Sequence, residues 1–283
     1  MALGVARAVA AAFTGSGIPF QGTTSGYTAG GDNLNTIDKF PFASDGNATD
    51  VGDLTGGIAG NSNDKRAGNS STTFGYVTGA LEPPSTTEQI QKFPFASNNN
   101  ATDVADMSVP RRGVTGQTLG GTTAYISGGW DQPNNTIPST NVIEKFPFAT
   151  EGNSTDIADL AVARAEGAGQ SSTVSGYSSG GVDQRGSSPT IYNVIDKFPF
   201  ASDANATDVG NLLYTLILSG AGQSSTSSGY TSGGAILPSD HPGISPGGQQ
   251  RNEIQKFPFA SDANATDVGD LTAGRHSGAG NQV

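Results

Sequence analysis

Hydrophobic residues in this chain recur in short, strand-length clusters, and the clearest of these is the string KFPFA. The string begins at Lys39, Lys92, Lys145, Lys197 and Lys256, at spacings of 53, 53, 52 and 59 residues. Within it, phenylalanine alternates with lysine and proline, so both rings face the same side of an extended strand. A period of this length indicates repeated units that stack or surround an axis.

Three further signatures recur with the same period and complete the unit. A string such as SGYTSGG precedes each KFPFA string, a string such as SDANATDVGDL follows it, and GAGQSST stands between units. Short strings bounded by Gly, Asn, Asp and Ser are typical of short β-strands and turns. Each unit therefore predicts four strands: GAGQSS, SGYxSGG, the strand that contains KFPFA, and TDVGDL.

The five units predict an all-β fold, a five-bladed β-propeller with four strands in each blade. The first two strands of each unit carry almost no large side chains, which suits inner strands that crowd a narrow axis. The phenylalanine pairs of the third strand are expected to fill the wider gaps between blades, where burial stabilises by about 1.5–3 kcal/mol per ring. These rings are Phe40, Phe42, Phe93, Phe95, Phe146, Phe148, Phe198, Phe200, Phe257 and Phe259.

The turn between the third and fourth strands carries the pattern D-x-N-x-T. In the first unit, Asp45 and Asn47 suit an Asx-turn, in which a side-chain oxygen accepts a nearby backbone N–H, and Thr49 closes the same turn. The same oxygens, together with Asp50, are of the type that binds Ca²⁺, but the stretch lacks the twelve-residue loop and the distal glutamate of such a site. We therefore interpret the turn as structural and expect no metal.

The order of these strings resembles a kelch repeat. A double glycine closes the second strand, an aromatic strand follows a variable loop, and an arginine recurs after the fourth strand. The D-x-N-x-T turn also resembles the Asp-box of sialidase-type propellers. Both resemblances imply that each unit is a propeller blade, and they cover about residues 20–283. The recurring arginines are Arg66, Arg112, Arg164 and Arg275.

The wording KFPFASDANATDVGDL is also similar to repeat proteins encoded by marine bacteriophages, including those of cyanobacteria. That resemblance implies a role in a virion or in contact with a host cell, and therefore a virion-associated or extracellular location. The partners that it implies are a host-surface glycan or a virion protein.

We expect two parts in the chain: an arm or short helix at residues 1–19 and the propeller at residues 20–283. The repeats are predicted at about 25–74, 75–123, 124–175, 176–228 and 229–283. The first unit starts at its second strand, whereas residues 278–283, GAGNQV, match a first strand. Pairing of this segment with the strand around Tyr27 would complete blade 1 and remove an open sheet edge. The alternative is that residues 14–24 supply the missing strand.

Composition narrows the classes of function. The formal net charge of −11 disfavours nucleic-acid backbones and anionic membranes as partners. No apolar run approaches the roughly twenty residues of a membrane-spanning helix. The chain has no cysteine, and its two histidines, His241 and His276, lie in different units. We therefore expect no thiolate site, catalytic triad or histidine metal centre, and predict a protein that is not an enzyme and has no cofactor.

The loops between the second and third strands differ most between units, and a propeller presents them on one face. An exposed tryptophan beside polar side chains suits the recognition of a sugar or a protein. The alternative is that the tryptophan caps a blade and the loops are plain connectors. The candidate ligand-binding residues on this face are Trp130, Asp131, Gln132, Asp183, Arg185, His241 and Arg251.

The sequence thus favours a non-enzymatic binding or structural propeller that serves a phage virion or the recognition of a host. A secreted or surface-bound, lectin-like carbohydrate-binding propeller is the alternative. A glycoside hydrolase is a third reading, because carboxylates that could act in pairs are plentiful. Neither the ligand nor the oligomeric state follows from the sequence.

Overall fold

The computed structural model describes residues 24–31, 34–43, 47–55, 66–82, 85–131, 139–183, 189–216, 218–236 and 249–275. These residues form strands, turns and loops, and no helix capable of crossing a membrane occurs among them. The arm expected at residues 1–19 lies outside the described residues, as does the closing strand expected at residues 278–283. The alternative closing segment, residues 14–24, is described at Thr24 alone.

The described residues contain the strands that the repeat predicts, together with a few short strands in the loops. In chain order the strands are β1 (Ser25–Gly31), β2 (Leu34–Pro41), β3 (Thr49–Asp53), β4 (Ala67–Ser70), β5 (Phe74–Glu82), β6 (Ser85–Pro94), β7 (Thr102–Asp106), β8 (Arg111–Arg112), β9 (Thr115–Leu119), β10 (Thr123–Ser127), β11 (Trp130–Asp131), β12 (Val142–Pro147), β13 (Thr155–Asp159), β14 (Ala168–Ser171), β15 (Ser175–Ser179), β16 (Val182–Asp183), β17 (Thr190–Ile191), β18 (Val194–Pro199), β19 (Thr207–Asn211), β20 (Leu218–Ser224), β21 (Ser228–Ile236), β22 (Gln249–Gln250), β23 (Glu253–Pro258) and β24 (Thr266–Asp270).

Five antiparallel sheets form the blades of a five-bladed β-propeller, which confirms the predicted fold. Blade 1 has the strand order β1-β2-β3, and blades 2 to 5 have the orders β4-β5-β6-β7, β9-β10-β12-β13, β14-β15-β18-β19 and β20-β21-β23-β24. Neighbouring blades meet mainly through β4, β9, β14 and β20, so these strands surround the axis. Blade 1 lacks such an inner strand among the described residues.

The inner strands pack so closely that their glycines have no room for a side chain. A Cβ atom on Gly169 would lie 2.2 Å from the carbonyl oxygen of Gly116 in the preceding blade. A Cβ atom on Gly222 would lie equally close, 2.2 Å, to the carbonyl oxygen of Gly169. The GAGQSS string therefore has glycine at this position because backbone packs against backbone around the axis.

The double glycine that ends the second strand has a backbone reason of its own. In blade 3, Gly128 has φ +65° and Gly129 has φ +107°, a region that residues with a Cβ rarely adopt. The Gly129 N–H donates to the carbonyl oxygen of Arg164 at 2.9 Å, which brings the strand end against the loop that follows β13. A Cβ on Gly128 would lie 2.3 Å from that same oxygen.

Aromatic rings link each blade to the next. The Tyr76 ring of blade 2 stacks on Phe148 of blade 3, with 4.5 Å between centroids, and lies 5.6 Å from Phe146. Within a blade, the first phenylalanine of KFPF lies over the glycine that faces it on the second strand, so that a Cβ on Gly176 would meet Phe198 at 2.3 Å. The other tyrosines in such contacts are Tyr27, Tyr125 and Tyr177.

Candidate functional site

The side chain of Trp130 is buried, which agrees with the alternative that the tryptophan caps a blade and disagrees with an exposed tryptophan on a binding surface. It is 6% exposed and packs against Ala165 and Val182 of the next blade. The guanidinium of Arg112 lies over the indole, 4.9 Å from the ring centroid. The cause is the pairing of β11 with β8, which folds the residues after the double glycine back over the gap between blades.

The other candidate loop residues do not form one exposed surface in the described part of the chain. Asp131 is half-buried on β11, and Asp183 is buried on β16 beside the contact with Trp130. Arg251 lies in blade 5, where it pairs with Glu253 and stacks 4.3 Å from the centroid of Tyr214. The remaining three candidates, Gln132, Arg185 and His241, lie outside the described residues.

Two ion pairs are buried at equivalent places in blades 3 and 4. Arg111 pairs with Glu144 at 2.7 Å, and Arg164 pairs with Asp196 at 2.8 Å. The recurring arginine of the second unit, residues 75–123, is therefore Arg111, and the assignment to Arg112 was wrong by one residue. Burial lowers the pKa of both buried arginines, and the partner carboxylates act in the opposite direction. Buried charges need such partners because desolvation is costly.

The carboxylates of these pairs also hold the blades together. Asp196 accepts the backbone N–H of Ala161, in the preceding blade, at 2.9 Å. Glu144 accepts the N–H of Ser108 in the same way, at 3.1 Å. The acids therefore have a structural role: both oxygens of Glu144 accept hydrogen bonds, and in Asp196 a single oxygen, Oδ2, accepts from both Arg164 and Ala161.

The asparagine of the D-x-N-x-T turn bridges blades, which differs from the expected Asx-turn. The side-chain oxygens of Asn100, Asn153, Asn205 and Asn264 accept backbone N–H groups of the preceding blade at 3.0–3.1 Å. In the first unit, Thr49 donates to the carbonyl oxygen of Lys39 at 3.5 Å, Asn47 is exposed, and Asp45 lies outside the described residues. No cluster of potential metal ligands occurs among the described residues.

A cavity of about 670 Å³ lies at the propeller axis. Its wall combines the inner strands β4, β9, β14 and β20 with the edge of β1, from Thr24 to Ala29. Glycine backbone, hydroxyl groups and carboxamides provide most of its polar surface, and Arg66 is the one charged side chain among the described lining residues. A volume of this size is typical of sites for small ligands.

The carboxamides in this wall are already engaged between blades. Gln117 donates from Nε2 to the carbonyl oxygen of Tyr177 at 3.0 Å, and Gln170 donates likewise to Tyr230 at 3.0 Å. Asn69 donates from Nδ2 to the carbonyl oxygen of Gln117 at 2.8 Å. The groups left for a ligand are therefore the hydroxyls and the backbone near blades 1 and 2, including Ser25, Ser70 and Thr72.

The cavity was not anticipated from the sequence. The GAGQSS strings gave a signal for inner strands, but the space enclosed by them depends on how many blades surround the axis and how far apart they lie. The lining hydroxyls belong to turns and strands that the repeat pattern marks as purely structural.

Comparisons with known proteins provide information on the fold alone. No family model matches the chain, and no curated protein matches it. The solved structure of YjhT is similar over 93% of this chain and 89% of that chain, with a TM-score of 0.69 and 13% sequence identity. At this identity the likeness is one of architecture, and it agrees with a single propeller that spans most of the chain.

Proposed function

We propose that this protein is a non-enzymatic binding module of a phage virion, and that it recognises a neutral, hydroxyl-rich ligand such as a host-surface glycan. The observation that carries the proposal is the axial cavity, whose described wall is neutral apart from Arg66. Hydroxyl, carboxamide and backbone groups exchange hydrogen bonds with sugar hydroxyls, whereas a charged ligand would need opposite charges in the wall. The virion setting rests on the resemblance to phage-encoded repeat proteins.

The use of the charged residues supports a binding role without catalysis. A hydrolase that acts on glycosides needs two carboxyl groups that face a common space. In the described residues, two of the buried acids, Glu144 and Asp196, are paired with arginines and bridge blades. Exposed acids such as Asp203 and Asp262 form ion pairs with Lys145 and Lys197 of neighbouring blades.

The test is a glycan array probed with the wild-type chain and two tryptophan variants. Thr72 and Thr226 are exposed residues in equivalent turns of blades 2 and 5, but Thr72 lines the cavity and Thr226 is absent from its wall. We expect Thr72→Trp to lose binding, because the indole fills the cavity mouth, and Thr226→Trp to bind as the wild type does. Retention of binding by both variants would place the ligand elsewhere, and no binding by the wild type would overturn the glycan proposal.

Two further experiments test whether the protein hydrolyses the glycans that it binds and whether it is part of the virion. Incubation of the chain with each glycan that it binds should release no reducing sugar, and release would establish a hydrolase.

Immunoblots of purified particles from the phage that encodes the chain should detect it. Its absence from particles would overturn the virion role while leaving the glycan binding intact.

A further inference from the structure

Four of the gaps between blades are closed by the same set of contacts, and we call each such gap a seam. At every seam from blades 1–2 to blades 4–5, an alanine or serine N–H in the D-x-N-x-T turn donates to a carbonyl oxygen of the preceding blade at 2.7–2.8 Å. The asparagine before it accepts an N–H from the same residue of that blade. These contacts join the outermost strand of one blade to the turn of the next.

Two further contacts recur at each seam. The residue after the TDVGDL string donates its N–H to a side-chain oxygen on the third strand of the next blade, as Thr55 does to Gln91 at 2.7 Å and Leu213 to Gln255 at 2.7 Å. A tyrosine of the preceding blade also contacts both phenylalanines of the next blade, as Tyr177 does with Phe257 and Phe259.

The groups for a fifth seam are all present on blades 5 and 1, but they do not meet. By position in the repeat, Ala48 would donate to the carbonyl oxygen of Asp270, Asn47 would accept the Asp270 N–H, and Thr272 would donate to Asp38. Tyr230 would lie on Phe40 and Phe42. Every one of these residues is described, and no hydrogen bond, ion pair or ring contact joins those of blade 5 to those of blade 1.

Several residues on the blade 5 face and the blade 1 face are more exposed than the equivalent residues at the four formed seams. Val268 on β24 is 51% exposed, whereas the equivalent Val51, Val104 and Val209 are partly buried in contact with a core cluster. Tyr230 is half-buried, as is Tyr27, whereas the other three equivalent tyrosines, Tyr76, Tyr125 and Tyr177, are buried. Phe40 is also half-buried, whereas Phe93, Phe146, Phe198 and Phe257 are buried.

Charge is complementary across the two faces as well. In blades 3 and 4 an arginine after the preceding blade pairs with the acid that stands one residue before the lysine of KFPF. At the fifth position the equivalent arginine is Arg275, which follows blade 5, and the equivalent acid is Asp38 of blade 1. Arg275 is exposed, and neither residue has an ion-pair partner among the described residues.

We propose that the blade 5 face docks on the blade 1 face of a second copy of this chain, head to tail. The blade 1 face of a second copy presents the same repeat positions that dock on the preceding blade at each of the four formed seams. Covalent connection would favour a seam within one chain through its high effective concentration. Among the described residues that seam is not formed, whereas the other four are, so the two faces can serve as a heterologous interface, which generates rings or filaments.

The test uses chains with a single introduced cysteine, and because the chain has no native cysteine the cross-linker reacts only there. One chain carries Asn47→Cys, a second and differently tagged chain carries Asp270→Cys, and the two are mixed and treated with a bismaleimide cross-linker. Head-to-tail docking predicts covalent dimers that carry both tags. The matched control is the formed seam between blades 4 and 5, where Asn264→Cys and Asn211→Cys occupy the same repeat positions. Mixed control chains should give no dimer, and both cysteines in one chain should give an internally linked monomer.

Light scattering during size-exclusion chromatography provides a second measurement. The wild-type mass should rise with concentration in multiples of 28.5 kDa. Arg275→Asp should prevent this rise, as should Asp38→Arg. In an equimolar mixture of the two variants, both junctions between unlike chains are complementary, so the rise in mass should return with the two variants alternating. A monomer at all concentrations, or a link between residues 47 and 270 that forms only within one chain, would overturn the proposal and show that the ring closes on itself.

Discussion

At the residue scale, equivalent buried positions in blades 4 and 5 carry different pairs of residues. Where blade 4 has the pair Arg164 and Asp196, blade 5 has Leu216 and Gln255, all four of them buried. The carbonyl oxygens of Arg164 and Leu216 accept N–H groups from the double glycines of blades 3 and 4, at 2.9 and 3.2 Å. Gln255 retains the contact to the preceding blade by accepting the N–H of Leu213. The charge pair is thus exchanged as a unit, because either half alone would leave a buried charge.

Arg164→Leu should therefore destabilise the protein strongly, by about 3–5 kcal/mol, since Asp196 loses its partner in a buried place. Adding Asp196→Gln should recover most of this loss, because the pair then matches blade 5. The measurement is urea unfolding at 25 °C followed by circular dichroism. Equal losses for the single and the double variant would mean that the pair contributes through packing rather than charge.

A second prediction concerns the left-handed glycines. Gly128→Ala should cost about 1–3 kcal/mol, because φ +65° strains a residue with a Cβ and that Cβ would meet the Arg164 carbonyl oxygen. Gly152→Ala is the control, since a Cβ there meets nothing within 4 Å. Thermal unfolding of the two variants should separate them clearly, and an unchanged midpoint for Gly128→Ala would contradict the backbone explanation.

At the scale of strands, the link between blades is a tyrosine on the second strand that enters the next blade's phenylalanine pair. Tyr76 is buried there, and burial, with a smaller contribution from the charge of Glu151, raises its pKa to about 12. The pKa values of Tyr125 and Tyr177 are raised for the same reason, burial. Each of these tyrosines stays neutral in the folded chain at a pH where the unfolded chain ionises.

This difference predicts a loss of stability in alkali. The contribution of neutral Tyr76 is complete below the unfolded pKa of about 10 and disappears as the pH rises to about 12. Tyr76→Phe preserves the ring contacts, so its urea midpoint should match that of the wild type at pH 7 and exceed it near pH 11. If the urea midpoints of both proteins fell in parallel between pH 9 and 11, other groups would be responsible for the loss of stability in alkali.

At the scale of the whole molecule, stability depends on inner strands that touch through their backbones. Gly169 and Gly68 hold the same position in blades 4 and 2, but their surroundings differ. A Cβ on Gly169 would meet blade 3 at 2.2 Å, whereas a Cβ on Gly68 meets nothing within 4 Å. The difference arises because blade 1 has no inner strand among the described residues.

Gly169→Ala should therefore disrupt the axis and lower the thermal midpoint markedly, whereas Gly68→Ala should be nearly neutral. The two variants are matched in chemistry and in place within the blade, so propensity differences cancel. A large loss for Gly68→Ala would mean that another strand packs against β4, and the segment expected to do so is residues 278–283.

The fold followed from the sequence because strand length, alternation and turn residues are local properties that repeat five times. The site did not follow to the same extent. The sequence left open whether Trp130 is exposed or caps a blade, because its burial depends on contacts with Ala165 and Val182, more than thirty residues later in the chain. The choice of Arg111 over Arg112 depends on which of two alternating side chains faces Glu144, a one-residue difference that composition does not resolve.

The sequence by itself determined the number of blades, the four strands in most of them and the need for glycine near the axis, since each of these follows from a short recurring string. Tertiary structure alone decided which charges are buried in pairs, that the turn asparagines bridge blades, and that a neutral cavity occupies the axis. It also decided that four seams are formed and that no such contacts join blades 5 and 1 in the described part of the chain. These features depend on distances between residues some fifty positions apart, which are set by how whole blades pack against one another.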